Sequence, residues 1–537
     1  MKRPLYLLLI ILISSCAQSI KVDLIVRNAT IISVDETMGE FEAMAVRDGK
    51  IIEIGAENQI MNRYQADSVI DAHKQFVYPG LIDAHTHFLG YGLGKSNVDL
   101  VGTSSFKEVV DRIKHQVEQN DSEWIIGRGW DQNDWGVKKF PNNDTLNTLF
   151  PDRKIVMKRI DGHAILATDN VLTSAGLTIN SEISGGQVLY DLGILVDEAM
   201  APVEKIIPVP TESQIDHALL QAQDDCFKHG LTSVTEAGLK VNEIRRIDQL
   251  QREGDLKMRI MAMYSAGPDI MLNLEDLRIK TDRLTSQAVK VYVDGALGSR
   301  GAKLLAPYSD DTLSSGLMIT GEDSIRKWAK ACYDADFQLC VHCIGDGGNR
   351  AALNAMSDVL QGTNDRRWRI EHAQVVNPED RLKFGEYNIL PSMQPTHVTS
   401  DMYWVKERLG QARESHAYST RSLMEENGMI ALGTDFPVED ISAISTFYAA
   451  VTRQDHNGFP SDGYFPSERL KREEALKGMT IWAAIANFDE NKIGSLEAGK
   501  FADFVILDRN LLTCDDSEIL QTQVLQTWLN GELVYEK

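Results

Sequence analysis

The stretch Pro79-Gly80-Leu81-Ile82-Asp83-Ala84-His85-Thr86-His87 decides how the chain is read. Val77 to Ile82 is apolar and β-prone, and it reads as one strand running into the two histidines. Residues i and i+2 of a strand project from the same face, so His85 and His87 can meet one ion. Neutral imidazole is the commonest protein ligand for zinc-like metals. A bare His-x-His is a frequent accident; placed at a strand end after Gly-Leu-Ile-Asp-Ala, it gains weight.

Further along, three more apolar strands each end in a potential ligand: His342 before Ile344-Gly345-Asp346, His372 in Arg369-Ile370-Glu371-His372-Ala373-Gln374, and Asp435 in Leu432-Gly433-Thr434-Asp435-Phe436-Pro437. A single buried histidine is usually a core residue, but joint placement at successive strand ends points to a site. Strand-like runs (Lys154 to Met157, Ala288 to Val293, Gln338 to His342, Trp368 to His372, Met429 to Gly433) alternate with helical patterns at Glu212 to Lys228, Ser324 to Asp334 and Arg350 to Leu360. Such alternation implies a parallel sheet, and over this length it predicts an α/β fold of the (β/α)8 TIM-barrel type, whose functional residues come from the C-terminal ends of different strands.

Two β-rich segments bracket the barrel. Val22 to Val26, Ala29 to Ile32 and the hairpin signal Asp48-Gly49 lie at one end; Ala502 to Asp508 and Asn530-Gly531 lie at the other. They predict one composite β-sandwich, residues 22–78 with 489–537, around a barrel at 79–488 that carries an insertion after its first strand at about 98–208. Residues 1–15 read as a signal peptide: Lys2 and Arg3 precede the apolar run Leu5 to Ile13, too short to span a bilayer. Ile13-Ser14-Ser15-Cys16 resembles a bacterial lipobox, so Cys16 is the expected lipidation site before a linker at 16–21, with an ordinary signal peptide as the alternative. The chain is then an exported lipoprotein, on the periplasmic or cell-surface side, that meets membrane only through its anchor.

The formal charge is −23 and no Lys/Arg-rich run is present, which argues against nucleic acid as a partner. Composition is that of an ordinary globular chain, at 43% hydrophobic and 25% charged. Cys340 and Cys343 have C-x-x-C spacing, but inside an apolar strand they read as core cysteines rather than as a redox or metal pair.

These strings together resemble the amidohydrolase superfamily, in its amidohydrolase-3 branch that includes N-substituted formamide deformylases. The resemblance spans nearly the whole chain beyond the leader. It rests on His85-x-His87, Arg159-x-Asp161-Gly162-His163, Lys290-Val-Tyr-Val-Asp294-Gly295, His342-x-Ile-Gly-Asp346, Glu371-His372-Ala373-Gln374, Thr434-Asp435-x-Pro437 and Gly494-Ser-Leu-Glu-Ala-Gly499-Lys-x-Ala-Asp503. Carried over, it makes His85, His87, Lys290, His342, His372 and Asp435 ligands of one or two divalent ions, zinc being expected. Lys290 is then a bridging, often carboxylated residue on the fourth strand. Burial beside metals lowers an amine's pKa and lets it add carbon dioxide.

The resemblance implies hydrolysis of a non-peptide C–N bond (amide, formamide or cyclic amide) in a small molecule. The metal activates water and polarises the carbonyl. Asp435 relays the water proton to the leaving nitrogen, or serves as a plain ligand. His163 is a further catalytic or substrate-binding candidate. Trp130, in Gly127-x-Gly129-Trp130-Asp131 read as a loop, and His397, beyond a seventh strand near Asn388 to Met393, are substrate-binding candidates. A deaminase of an amino-substituted ring and a catalytically silent binding lipoprotein are the rival readings. A homodimer is the default assembly. Substrate identity is not carried by fold-level likeness.

Overall fold

A computed structural model describes residues 19–95, 97–119 and 123–537. The leader and the lipidation candidate Cys16 lie outside the described residues. Eight parallel strands, β1 (Leu81–Thr86), β2 (Leu231–Leu239), β3 (Arg259–Ser265), β4 (Leu284–Tyr292), β5 (Gln338–Cys343), β6 (Arg369–His372), β7 (Leu390–Met393) and β8 (Ala431–Leu432), pair in chain order. The seam between β8 and β1 is bridged at the rim: the Asp435 N–H donates to the His85 carbonyl (2.8 Å) and the His87 N–H to the Phe436 carbonyl (2.9 Å). The Asp83 carboxylate accepts from the Thr434 N–H (3.0 Å) and hydroxyl (2.7 Å) across the same seam. The result is a nearly closed (β/α)8 barrel, the fold that the alternation predicts.

Its strands are buried on both faces, as a parallel sheet wrapped by helices requires. The long outer helix Glu212–Lys228 begins where the sequence places it, at a capping box in which the Thr211 hydroxyl accepts the Gln214 N–H and Gln214 Oε1 accepts the Thr211 N–H. The helix read from Arg350 starts earlier, at Asp346, because Gly347 and Gly348 mask its first turn. Inside the barrel, Met261, Met263, Ala288 and Cys340 form a small apolar plug. Cys343, three residues on and so on the opposite face, packs into the outer core; both thiols are free and buried, which rules out pairing with each other.

Val77 to Ile82 is not one strand. Phe76–Pro79 pairs antiparallel with Phe504–Leu507, and β1 begins only at Leu81. At Gly80 the chain leaves one sheet for the other, its N–H donating to the Asp503 carbonyl (2.9 Å). The strand therefore belongs half to the β-sandwich and half to the barrel. The sandwich has one sheet from the N-terminal segment alone and one that joins Thr30–Ile32, Glu40–Phe41 and Phe76–Pro79 to the three C-terminal strands. Leu24, Val26, Met44, Val77, Phe504 and Ile506 share the core between them.

Between β1 and β2 a separate six-stranded sheet is built from Val98–Asp99 to Ile194–Asp197. Gly127 to Trp130, expected as a loop, is its strand Trp124–Trp130. The glycines there meet a packing demand rather than a turn. A Cβ on Gly127 would lie 2.6 Å from Met157 Sδ, and one on Gly129, at φ +116°, would lie 2.6 Å from the Val101 nitrogen.

Candidate active site

The barrel's C-terminal rim brings the expected ligands together. His85, His372 and Asp435 each offer a donor atom within 4.8 Å of the others. Asp435 is the hub: Oδ1 lies 3.7 Å from His85 Nε2 and 3.2 Å from His87 Nε2, and Oδ2 lies 3.9 Å from His372 Nδ1 and 3.7 Å from His397 Nε2. The buried Lys290 Nζ stands 3.3 Å from His85 Nε2. The His342 ring packs at 4.5 Å from that of His372, centroid to centroid. All six thus converge from β1, β4, β5, β6 and the turn after β8. His372 and Asp435 both hold positive φ, 72° and 62°, a conformation costing about 1–3 kcal/mol for such residues and one that concentrates at functional sites.

Supporting residues fix the ring orientations. Glu371 Oε2 sits 2.6 Å from His85 Nδ1, and Glu371 is itself paired with Arg369 at 2.7 Å, all three side chains inaccessible to solvent. Burial alone would raise the Glu371 pKa; Arg369 and His85 outweigh it and hold the carboxylate ionised. Gln394 Oε1 lies 2.8 Å from His372 Nδ1. These carboxylate and amide partners select one tautomer and aim the other ring nitrogen inward. Burial drives the His85 pKa down to about 4, and those of His342 and His372 well below the usual range, so the imidazoles are neutral at pH 7. Burial likewise lowers Lys290, partly offset by Glu371 and Asp435.

The donor set fits a divalent cation. The imidazoles are unprotonated, as ligation requires. At the rim the buried His342 Nε2 and His397 Nε2 have no hydrogen-bond partner, a costly state, and His342 Nε2 is placed where a bound cation would relieve it.

Above the rim opens a cavity of about 880 Å³, walled on one side by the barrel and on the other by the insertion sheet. His163 and His397 line it, as does Asp435. His163 Nδ1 lies 2.8 Å from Asp197 Oδ1, and its ring sits 5.1 Å from that of His342. Trp130 does not line it: its side chain is 1% exposed in the insertion core, and its indole N–H donates to the Met157 carbonyl (2.8 Å). Arg128 and Trp130 are two residues apart and would share a face on a regular strand; the register shift between them, at Gly129 with φ +116°, turns Trp130 into the packed core while Arg128 and Asp131 reach the cavity. Sequence reading missed Arg128, Asp401, Glu439 and the orienting residues Glu371, Gln394 and Asp197; the repeated charged residues beside histidines were the available signal.

An eight-stranded parallel barrel with such a rim is the architecture of enzymes that work at the C-terminal face of their strands. The sequence profile of the amidohydrolase family matches residues 68–535, and the chain belongs to that family. It is 31% identical to Protein LONG AFTER FAR-RED 3 of Arabidopsis thaliana, over 96% of this chain and 91% of that one. It is 24% identical to an N-substituted formamide deformylase of Arthrobacter pascens, over 96% and 98%. Among solved structures it resembles an uncharacterized metal-dependent hydrolase of Pyrococcus horikoshii OT3, with a TM-score of 0.76 and 26% identity over 92% of this chain and 99% of that one.

Proposed function

We propose that the protein is a metal-dependent hydrolase that cleaves a non-peptide C–N bond, an amide, formamide or cyclic amide, in a small molecule. The observation that carries the reading is the convergence of neutral imidazoles on one buried carboxylate. His85, His87, His342, His372 and Asp435 would hold one or two divalent ions, zinc being the expected metal, with Lys290 bridging them as its carbamate. When bound, such a cation supplies Lewis acidity toward a water and a carbonyl oxygen. The chain's own contribution is proton handling and orientation. Asp435 takes the proton of the attacking water and returns it to the leaving nitrogen. His163, kept protonatable by Asp197, donates toward the carbonyl oxygen as charge develops there. His397 binds substrate beside Asp435.

The same reading extends to place. The leader and Cys16 support an exported lipoprotein, and no helix among the described residues is long and apolar enough to cross a membrane. A homodimer without nucleic acid is the proposed assembly.

Metal content and turnover test the proposal together. The purified chain should carry about one to two equivalents of divalent metal and release amines from a panel of formamides, amides and cyclic amides. Chelation should abolish that turnover and zinc should restore it. Ammonia release from aminopurines with inert amides would instead make it a deaminase. Absence of both metal and turnover would leave a binding lipoprotein.

A further inference from the structure

The cavity wall opposite the rim carries a cation without an anion. Three basic side chains line the cavity among the described residues: Lys95, Arg128 and Arg159. Lys95 is ion-paired with Asp225, and Arg159 is clasped by both Asp131 and Asp161. Arg128 makes a single hydrogen bond, from Nη2 to the Ile160 carbonyl (2.7 Å), and its buried Nε has no partner. No carboxylate of the described residues stands within 4.0 Å of it. Unpaired charge at a partly dry surface costs several kcal/mol, so the position is either wasteful or waiting for an anion.

The surroundings hold this side chain in place. Gly127 and Gly129 flank it on a strand where any larger residue would collide with Met157 or Val101, which fixes the backbone on both sides. Its Nη1 lies against the Asp161-Gly162-His163 turn, 3.6 Å from where a Gly162 Cβ would stand. Arg128 and Asp435 line one cavity, so the guanidinium faces the same space as the rim. A planar fork of N–H donors is the natural partner of a carboxylate, which it can hold through two parallel bonds.

We propose that Arg128 is the anchor for a carboxylate carried by the substrate, so that the enzyme acts on anionic amides of the N-acyl amino acid kind. The substrate then lies across the cavity, its scissile carbonyl at the Asp435 rim and its carboxylate on the insertion sheet. The substrate class rests on the hydrolase reading; the anion site itself does not.

The probes are N-benzoylglycine and its methyl ester, in which one methyl group removes that charge. Calorimetric titration of the metal-loaded protein should show the acid bound about tenfold tighter than the ester. Arg128→Gln should erase that preference, and Arg128→Lys should keep part of it. Circular dichroism and melting of each variant establish that it is folded. Because a carboxylate also binds metals directly, the titrations are repeated after chelation. An Arg128-dependent preference that survives chelation supports the proposal. Equal binding of acid and ester, or a preference unchanged in Arg128→Gln and lost with the metal, overturns it. If the preference holds while no amide is hydrolysed, the anion site stands and the hydrolase reading falls.

Discussion

His163 and His342 face each other with ring centroids 5.1 Å apart, yet the two regions that supply them treat an imidazole in opposite ways. His342 comes from barrel strand β5. Its Nε2 is buried without a partner, burial dominates, and His372, His163 and Lys290 all push its pKa further down. His163 comes from the insertion. Burial lowers it too, but Asp197 at 2.8 Å, with Asp161 and Asp294 behind, reverses the balance and raises its pKa. One region makes a neutral imidazole with a free lone pair, which is what a cation needs. The other makes a proton donor, which is what a carbonyl oxygen needs. The division is built in at Gly295, just past β4, where a Cβ would lie 2.6 Å from the Asp197 carboxylate. Only a glycine there lets the insertion's acid reach its histidine.

The largest effect that tests this division is at the shared hub. Asp435→Asn keeps size and tolerates the left-handed backbone at φ 62°, so the barrel should fold. Loss of the proton relay should lower kcat/KM on the best amide by about 10³-fold or more. Turnover near that of the wild type would remove Asp435 from the chemistry.

A smaller effect should come from the insertion side alone. Asp197→Asn replaces a fully buried carboxylate that faces His163 and, among the described residues, makes no hydrogen bond to a rim ligand. The His163 pKa, followed by the ring-proton shift in NMR, should fall once the Asp197 charge is gone, with Asp161 and Asp294 still holding part of it up. Bound metal should remain as in the wild type, while kcat/KM drops by about tenfold. Parallel loss of metal would mean that the two regions are not separate devices.

This division also explains what could be read from the sequence. The rim was legible because most ligands stand at the end of a strand-like run: His342 closes Leu339-Cys340-Val341 and His372 closes Trp368 to Glu371, whereas Lys290, inside β4, was picked out only by the resemblance. Periodicity locates a strand end, and a strand end locates a rim. Gly80 shows the limit of that signal, since an unbroken apolar run from Val77 to Ile82 conceals a change of sheet that only the antiparallel partner Phe504–Leu507 determines. The insertion was harder. Gly127 and Gly129 look like turn residues, yet they are forced by close packing against Met157 and Val101, and the register shift between Arg128 and Trp130, which no local pattern announces, is what sends Trp130 inward and leaves Arg128 at the cavity. Glu371 and Asp197 act through other residues' rings, and contacts at sequence separations of 286 and 34 leave no local pattern.

The gentlest test uses pH on the metal-free chain. Above pH 6.5 His85 is neutral whether folded or unfolded, and it contributes nothing to the pH dependence. As pH falls below 6.5 the unfolded chain takes up a proton that the folded chain refuses until about pH 4, so the unfolded state binds more protons across that window. Stability must then fall with pH, by about 1.4 kcal/mol per unit for this one histidine. His342 and His372, lowered further, steepen the slope, while His163, raised, opposes it. Glu371 and Asp435, both held down, lose their contribution only below about 4.5, where unfolded carboxylates protonate. Asp83, Asp294 and Asp401, raised by burial to about 7, and Glu236, raised to about 8, take up protons in the folded chain across the same window and oppose the histidines, so the measurement that isolates a histidine is the difference in slope between two chains. Relative to the wild type, His342→Gln should lose less stability, or gain more, as denaturant midpoints are followed from pH 6.5 to 4.5, because its removal subtracts one suppressed protonation. A slope unchanged by the substitution would show that His342 titrates normally, and the contrast with His163 would disappear.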